Sequence, residues 1–516
     1  MKTCIVRKRL STTGVGTSYF ALPSGFGTPK AAMFYWASIH QADDTMAGIG
    51  SFYTGIAFAG NAGTSGSGVT ARSNGAGFAG TSGTSRTYQT SLQSGLLYQT
   101  DGFGVTSRVV DFVSFDVDKI NYNYRLPFST PTEAIDCIIT AWTGDELSVA
   151  CNHILCGANS GTAATVTNLT FQPQVVIGSF GQNAVGGAAG GQLQLGAALD
   201  LNGSGTLITT RNSGFGLANG GGSRLCTAMM MEDGLAHGLR NAALNKMQVS
   251  QFNAGGFNVL TTGANAGGAY NIIYLALAGI GTQNISLGSI RTPINSGAGQ
   301  AQTYNVGFVP QLIIGGMTHT PDANIGTEQS AGNADNASFY SCKGFDFRKY
   351  DGTGTVTCST SGTSLTGSGT SFLNELCPND LIFDVNGAQA GTISSITSQT
   401  SANFTANASI NLTAARFQYE EEYQYSVTFG ADDGLAATTL NAQFCSIGTS
   451  AITAATASGA GATNNLIARI GDFNRGTNDF TIVYNTLNNI AASGAAGRAG
   501  WYLAFKETPR RRVQIR

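Results

Sequence analysis

The sequence predicts an all-β protein, with three tandem β-sandwich repeats (jelly-roll or lectin-like) and a small β-domain inserted in the third. Three observations predict it. The 516 residues include 70 Gly and 10 Pro, with 11% charged and 42% hydrophobic residues. That balance excludes intrinsic disorder and, lacking a three-residue glycine period, collagen. One unusual phrase, an aromatic followed after one or two residues by proline and an unbroken apolar run, occurs three times. A Thr/Ser/Gly-rich stretch, residues 351–418, interrupts the last copy.

The repeated phrase reads "SGFGTPKAAMFYW" at 24–36, "LTFQPQVVIG" at 169–178 and "GFVPQLIIGG" at 307–316, with Phe26, Phe171 and Phe308 at equivalent places. An apolar run of four to eight residues bounded by turn residues predicts a strand buried on both faces. Proline before its first position costs the ladder nothing. A second landmark, two strands with a polar second member, is read at 54–74, 193–212 and 425–443. A third closes each copy: a Phe, a short turn, an alternating strand, a Gly/Ala/Asn loop and a last apolar strand, at 113–142, 249–279 and 470–506. In the first copy the charged "FDVDKI" replaces the glycine turn. The alternation of "FTIVYNT" predicts one face on the core and one in solvent. The repeats are placed at 1–145, 146–282 and 283–509, and a short helix is allowed near 238–246. Their short connections favour packed neighbours.

The insertion reads as short strands between Gly- and Asn-rich turns, and the Asn-Gly of "DVNGAQAG" is a strong hairpin signal. About 65 residues make a small β-barrel or sandwich with a thin core. Its sequence resembles a small β-module of bacteriophage virion proteins. "TGSGTSF" (366–372) carries the Thr-Gly-x-Gly-Thr-x-Phe turn, Asn379 and Asp380 stand where the module has Gly-Asp, and "ISSITSQT" (393–400) carries the last element with Ile393 for Val. The threefold unit resembles, more loosely, a β-sandwich repeat of phage tail and appendage proteins. The Asp that often follows its proline is replaced by Lys30, Gln174 and Gln311.

A formal net charge of −2 gives no overall attraction to nucleic acid. Basic residues cluster at both ends: Lys2, Arg7, Lys8 and Arg9, then Arg510, Arg511, Arg512 and Arg516. They read as solvated terminal strands or as a docking patch for a neighbouring subunit. The nine cysteines, at 4, 137, 151, 156, 226, 342, 358, 377 and 445, show no zinc spacing and predict reduced, buried thiols. Cys358 with Cys377 is the one pair to suspect. "MKTCIVRKRL" lacks the apolar core of a signal peptide, and "YNIIYLALAGIG" (270–281) is too short to span a membrane.

Signals for chemistry are few. His40, His153, His237 and His319 are scattered, and the neighbouring carboxylates Asp145/Glu146, Glu232/Asp233 and Asp432/Asp433 recur at no common repeat position. Glu420–Glu422 reads as a solvated run, "GAGFAG" (75–80) as a loop, and "DVD" (116–118) and "DLNGSG" (200–205) lack the acidic ligands of a calcium loop. No catalytic, metal or cofactor residue is assigned, and no enzymatic activity is expected. The resemblance implies a virion structural protein assembled in a bacterial cytoplasm. A tail-associated fibre, spike or baseplate-proximal role is the first expectation, with possible adhesion to host-surface carbohydrate. A capsid decoration or head-fibre protein is the alternative, and a polysaccharide depolymerase the reading from another class. Expected partners are other virion proteins and further copies of the chain; neither nucleic acid nor membrane insertion is expected.

Overall fold

In the computed structural model each proline-led apolar run is a strand inside a sheet: Ala31–Ile39, Val175–Phe180 and Leu312–Pro321. The structure describes residues 1–10, 16–39, 51–61, 68–79, 85–89, 95–100, 106–126, 134–157, 160–181, 191–217, 226–237, 246–262, 270–293, 300–321, 329–330, 335–343, 350–372, 376, 380–420, 424–432, 442–448, 452–458, 461–474, 478–487 and 498–507. Almost all of them are in strands or the turns between strands, as an all-β fold requires. Among the described residues no helix is long and apolar enough to cross a membrane.

The first sandwich has ten strands: β1 (Lys2–Leu10), β2 (Gly16–Ala21), β3 (Ala31–Ile39), β4 (Ser51–Asn61), β5 (Val69–Ala79), β6 (Ser85–Gln89), β7 (Gly95–Thr100), β8 (Thr106–Asp116), β9 (Lys119–Leu126) and β10 (Ala134–Thr143). They pair antiparallel in two sheets, β1-β10-β3-β4-β5-β6 and β2-β9-β8-β7. The next strands take the same order. Their six-stranded sheet runs Ser148–Cys156, Tyr270–Ala278, Val175–Phe180, Gly191–Asp200, Ile208–Leu217, Cys226–Met231; the four-stranded one runs Ala163–Val166, Gly256–Thr262, Lys246–Asn253, Ala236–His237. The order recurs once more. The sheets are Ile285–Arg291, Arg498–Phe505, Leu312–Pro321, Asp335–Lys343, Gln424–Asp432, Ala442–Gly448 and Gln300–Asn305, Asp479–Leu487, Gly461–Asn474, Ile452–Ser458.

Side chains alternate between the faces of a strand, so a run apolar at every position must have a core on each side. Both cores exist. Val176 and Phe180 enter the core between the two sheets of the second sandwich, and Ile313 and Met317 do the same in the third. Val175, Ile177, Leu312 and Ile314 point the other way, into one central core shared by all three six-stranded sheets. Trp142, Leu277 and Phe505 sit opposite Ala31, Val175 and Leu312 and meet there. The rings of Trp142 and Phe505 lie edge to face at 6.1 Å. Each such side chain contributes roughly 1.5–3 kcal/mol by burial, and none would be covered in an isolated sandwich.

The sandwiches contact one another cyclically. Asn74 of β5 donates to the Ser179 carbonyl of the second, Trp501 of the third donates to Ser213 Oγ of the second at 2.9 Å, and Thr140 of β10 bonds Ser341 of the third. Gln329–Ser330, from a connection in the third, adds a short strand to the edge of Cys226–Met231 in the second.

The insertion leaves the third sandwich after Lys343 and returns at Gln424. It therefore separates the counterparts of β4 and β5. This corrects the second landmark in the third copy: residues 425–443 span the counterparts of β5 and β6, and the partner of β4 lies before the insertion. The insertion closes on itself. Leu412–Ala415 pairs with Thr355–Cys358, and Phe417–Glu420, just beyond it, pairs with Leu381–Asp384 across the barrel. Ala414, at φ 44°, bends the first of these strands just before the second. Val356, Leu365, Phe372, Ile382, Ile393, Phe404 and Phe417 fill its core. The Asn386-Gly387 hairpin forms, with Gly387 at φ 93°. In "TGSGTSF", Gly369 adopts φ 66°, Thr370 Oγ1 donates to the Gln399 carbonyl and Phe372 is buried.

The allowed helix at 238–246 lies outside the described residues but for Lys246, which begins a strand. "GAGFAG" is not the expected loop, since residues 75–79 belong to β5. Gly75 pairs with Gly55 of β4, where an added Cβ would lie 2.3 Å from the Trp36 ring.

Candidate functional site

The residue after each proline, where the resembling family has Asp, has one structural task in three places. The backbone N–H of Lys30, Gln174 and Gln311 donates to Trp142, Leu277 and Phe505, at the end of each last strand. Its side chain then holds the chain that leaves the sandwich. Gln174 Oε1 accepts from Ile280 N at 2.8 Å, and Gln311 Oε1 accepts from Glu507 N at 2.8 Å. Lys30 reverses the polarity, its Nζ donating to the carbonyls of Asp145 and Leu147 at 3.0 Å each. In the first two sandwiches the motif braces the connection to the next, and in the third it braces the segment after the last strand.

Neighbouring acidic turns are also braces. Asp118 takes φ 57°, the left-handed role that glycine would fill, and its carboxylate accepts from Gly25 N and Gly27 N. Asp200 accepts from the N–H groups of Asn202, Gly203 and Gly205. Backbone donors thus occupy the carboxylates of Asp118 and Asp200 in the two faint calcium-like loops, while Asn121 Nδ2 donates to Asp116 Oδ2 at 2.7 Å. Among the described residues no group of three His, Cys, Asp or Glu is placed to hold a metal.

The other candidates stay apart. His153 is exposed on Ser148–Cys156, where partial burial and then the charge of Arg72 hold its imidazole below the usual range. His237 is fully buried, neither ring nitrogen has a hydrogen-bond partner among the described residues, and burial lowers its pKa to about 3. His40 and the side chain of His319 lie outside the described residues. Glu232 takes a hydrogen bond from Ser289 and lies 3.4 Å from Arg291, while Asp233 pairs with Lys246 at 2.7 Å. Asp145 and Glu146 form the exposed turn after β10. Glu421, Glu422, Asp433 and the side chains of Glu420 and Asp432 are outside the described residues.

Six cysteines, at 4, 137, 151, 156, 342 and 358, are buried free thiols. Burial raises the pKa of Cys151 and Cys156 to about 12. Cys377, suspected as the partner of Cys358, and the side chains of Cys226 and Cys445 fall outside the described residues. The N-terminal basic cluster is not simply solvated. Arg7 is buried against Asp136 at 2.6 Å, Arg9 reaches the same carboxylate at 2.7 Å, and Lys8 is buried. Arg510–Arg512 and Arg516 lie outside the described residues.

Two clefts remain. One, about 460 Å3, opens in the second sandwich between the edge strands Ser148–Cys156 and Ala163–Val166, with His153, Asn168 and Tyr274 in its wall. The other, about 380 Å3, lies between the first and second sandwiches. The first supplies Lys30, Asn61, Val69 and Phe115 to it, and the second supplies Ser148 and Phe171. Sequence reasoning marked Phe171 and the Phe of "SFDVDKI" as repeat landmarks but gave no sign that they meet across a junction. A side-by-side reading of the copies held the available signal: only Lys30 breaks the Gln pattern.

No protein-family model matches this chain, and no curated protein matches it. Among solved structures there is a faint likeness to the LG4-5 domains of the mouse laminin alpha1 chain. It has 12% identity, covers 52% of this chain and 81% of that one, and its TM-score of 0.10 is too low to carry an argument.

Proposed function

We propose that this chain is a structural protein of a bacteriophage particle, placed at the tail as a fibre, spike or baseplate-proximal component, with a role in adhesion to the host surface. The supporting observation is the barrel at 355–420. The residues by which the insertion resembles a phage virion module are those its fold depends on: Gly369 in its turn, Thr370 on the Gln399 carbonyl, and Phe372 and Ile393 in its core. Among the described residues of the three sandwiches, the carboxylates of Asp118 and Asp200 brace turns, Glu232 and Asp233 face Arg291 and Lys246, and five cysteines are buried. That suits binding and assembly more than bond cleavage. Other virion proteins and further copies of the chain are its partners in this reading.

The test is to purify particles from an infected host, identify the chain by mass spectrometry, and label it with gold-conjugated antibody for electron microscopy. Label on the tail is the expected result. Label on the capsid would favour the decoration or head-fibre alternative, and absence from purified particles would overturn the reading. Release of reducing sugar from host polysaccharide would instead indicate a depolymerase.

A further inference from the structure

We propose that the cleft between the first and second sandwiches binds an uncharged saccharide unit, a hexose or N-acetylhexosamine of a surface glycan; this rests on the adhesive part of the reading above. The first–second junction brings two aromatics to one cleft, the Phe before the hairpin turn of one sandwich and the Phe of the proline phrase of the next. At the second–third junction both are covered, Phe252 at 2% and Phe308 at 4% exposure. There the turn 201–207 folds down, its Gly205 carbonyl accepting from Phe252 N at 2.9 Å. At the first–second junction Phe115 and Phe171 remain partly open and line a cleft of about 380 Å3, within the size range of small-ligand sites, which favour inter-domain positions.

The lining sets the ligand class. Phe115, Phe171 and Val69 offer an apolar floor, and the side chains of Thr28, Asn61, Ser148 and Thr170 offer neutral donors and acceptors at the rim. Among the described residues no carboxylate lines the cleft, and the one cation there, Lys30, is held against two carbonyls. A pyranose matches this, with C–H faces for the rings and hydroxyls for the rim. An acidic sugar would meet Lys30 beside the exposed carboxylates of Asp145 and Glu146, with little net attraction.

The experiment is saturation-transfer NMR and calorimetry on the full chain with glucose, galactose, N-acetylglucosamine and their β-1,4 disaccharides, with glucuronic acid as the charged comparison. Saturable binding of at least one neutral sugar is expected. Phe171→Ala should weaken it about three- to tenfold, the worth of one aromatic contact, and Asn61→Ala by a similar factor. Phe171 also packs on the core of the second sandwich, so Thr170→Trp, which fills the cleft from an exposed position, is the second variant and should abolish binding at unchanged Tm. No binding by any neutral sugar, binding of glucuronic acid alone, or binding indifferent to all three variants would overturn the proposal. Particle labelling fails independently: a chain present in virions that binds no sugar loses only this inference, and a sugar-binding chain absent from virions loses only the virion assignment.

Discussion

The junction between the third and first sandwiches does the same geometric work as the other two, with different chemistry. The first–second and second–third junctions are spanned by the chain itself, and each adds an arginine from the same strand position. Arg72 of β5 donates to Asn152, and Arg211 donates to Ser289, both from the sandwich that comes earlier in the chain. At the closing junction no connection runs across, and the corresponding residue is Tyr425, buried in the central core. A clasp of charges takes over. Thr3 donates from its N–H and its hydroxyl to Glu507 Oε1 at 2.6 Å each, Lys343 Nζ donates to the Thr3 carbonyl at 2.6 Å and lies 3.6 Å from Glu507. Lys343 and Glu507 are 7% exposed. A covalent connection holds its neighbours at high effective concentration, so a few polar contacts, some of them partly exposed, can set the register. Where the chain must find its own other end, a geometrically strict, buried contact does so.

The comparison breaks most directly at the clasp. Glu507→Ala leaves Lys343 buried without its carboxylate and should cost about 3–5 kcal/mol, read by denaturant unfolding. An equal cost for Arg211→Ala would abolish the distinction. That variant and Arg72→Ala each lose one charged hydrogen bond across a tethered junction, and about 1–3 kcal/mol is expected of each by the same measurement. Smaller again is the change at the brace. Lys30→Ala should lower stability by about 1–2 kcal/mol, and Lys30→Gln, which restores an amide donor, by about half of that or less.

Acid sharpens the comparison by acting on the second sandwich. The pKa of His237 is lowered from its ordinary value of 6.5 to about 3, burial first and the Lys246 charge second. The folded state therefore binds fewer protons than the unfolded one. The contribution of this group is full above pH 6.5 and is lost as pH falls from there toward 3. A Tm profile should decline over that window, and His237→Leu should flatten it. The smallest effect concerns the thiols. Cys137, Cys151, Cys156, Cys342 and Cys358, buried and with their thiols held protonated by burial, should not react with a thiol reagent until the protein unfolds, and reductant should leave Tm unchanged within about a degree.

Much of the architecture was legible because burial on two faces forces a visible pattern. A strand such as Val175–Phe180 has no solvent side, so every position is apolar or small. The Phe of each hairpin was legible because it recurs at one place in the register: Phe115, Phe252 and Phe473 stand in the pairs Phe115↔Ile120, Phe252↔Phe257 and Phe473↔Phe480. The third copy misled at 425–443 because the barrel separates two strands that are neighbours in the sheet. The central core was hidden for a different reason. Ile138, Ile273 and Trp501 share one strand position and one core but not one residue type. The cleft was the least legible element. It depends on two half-open rings, Phe115 and Phe171, brought together from separate sandwiches, which no local pattern encodes.

The barrel is attached at one of three corresponding places. The connection between the β4 and β5 positions is the short "AGTSGSG" (62–68) in the first sandwich, a braced turn at 201–207 in the second and the barrel-bearing segment in the third. A ring of three separate identical subunits would display such an appendage at every corner, in fixed three-to-three stoichiometry. Writing the ring on one polypeptide frees each corner to mutate alone. The molecule can therefore offer a single barrel at one azimuth and a differently shaped junction at another, and whatever docks against it must meet it in one rotational setting out of three.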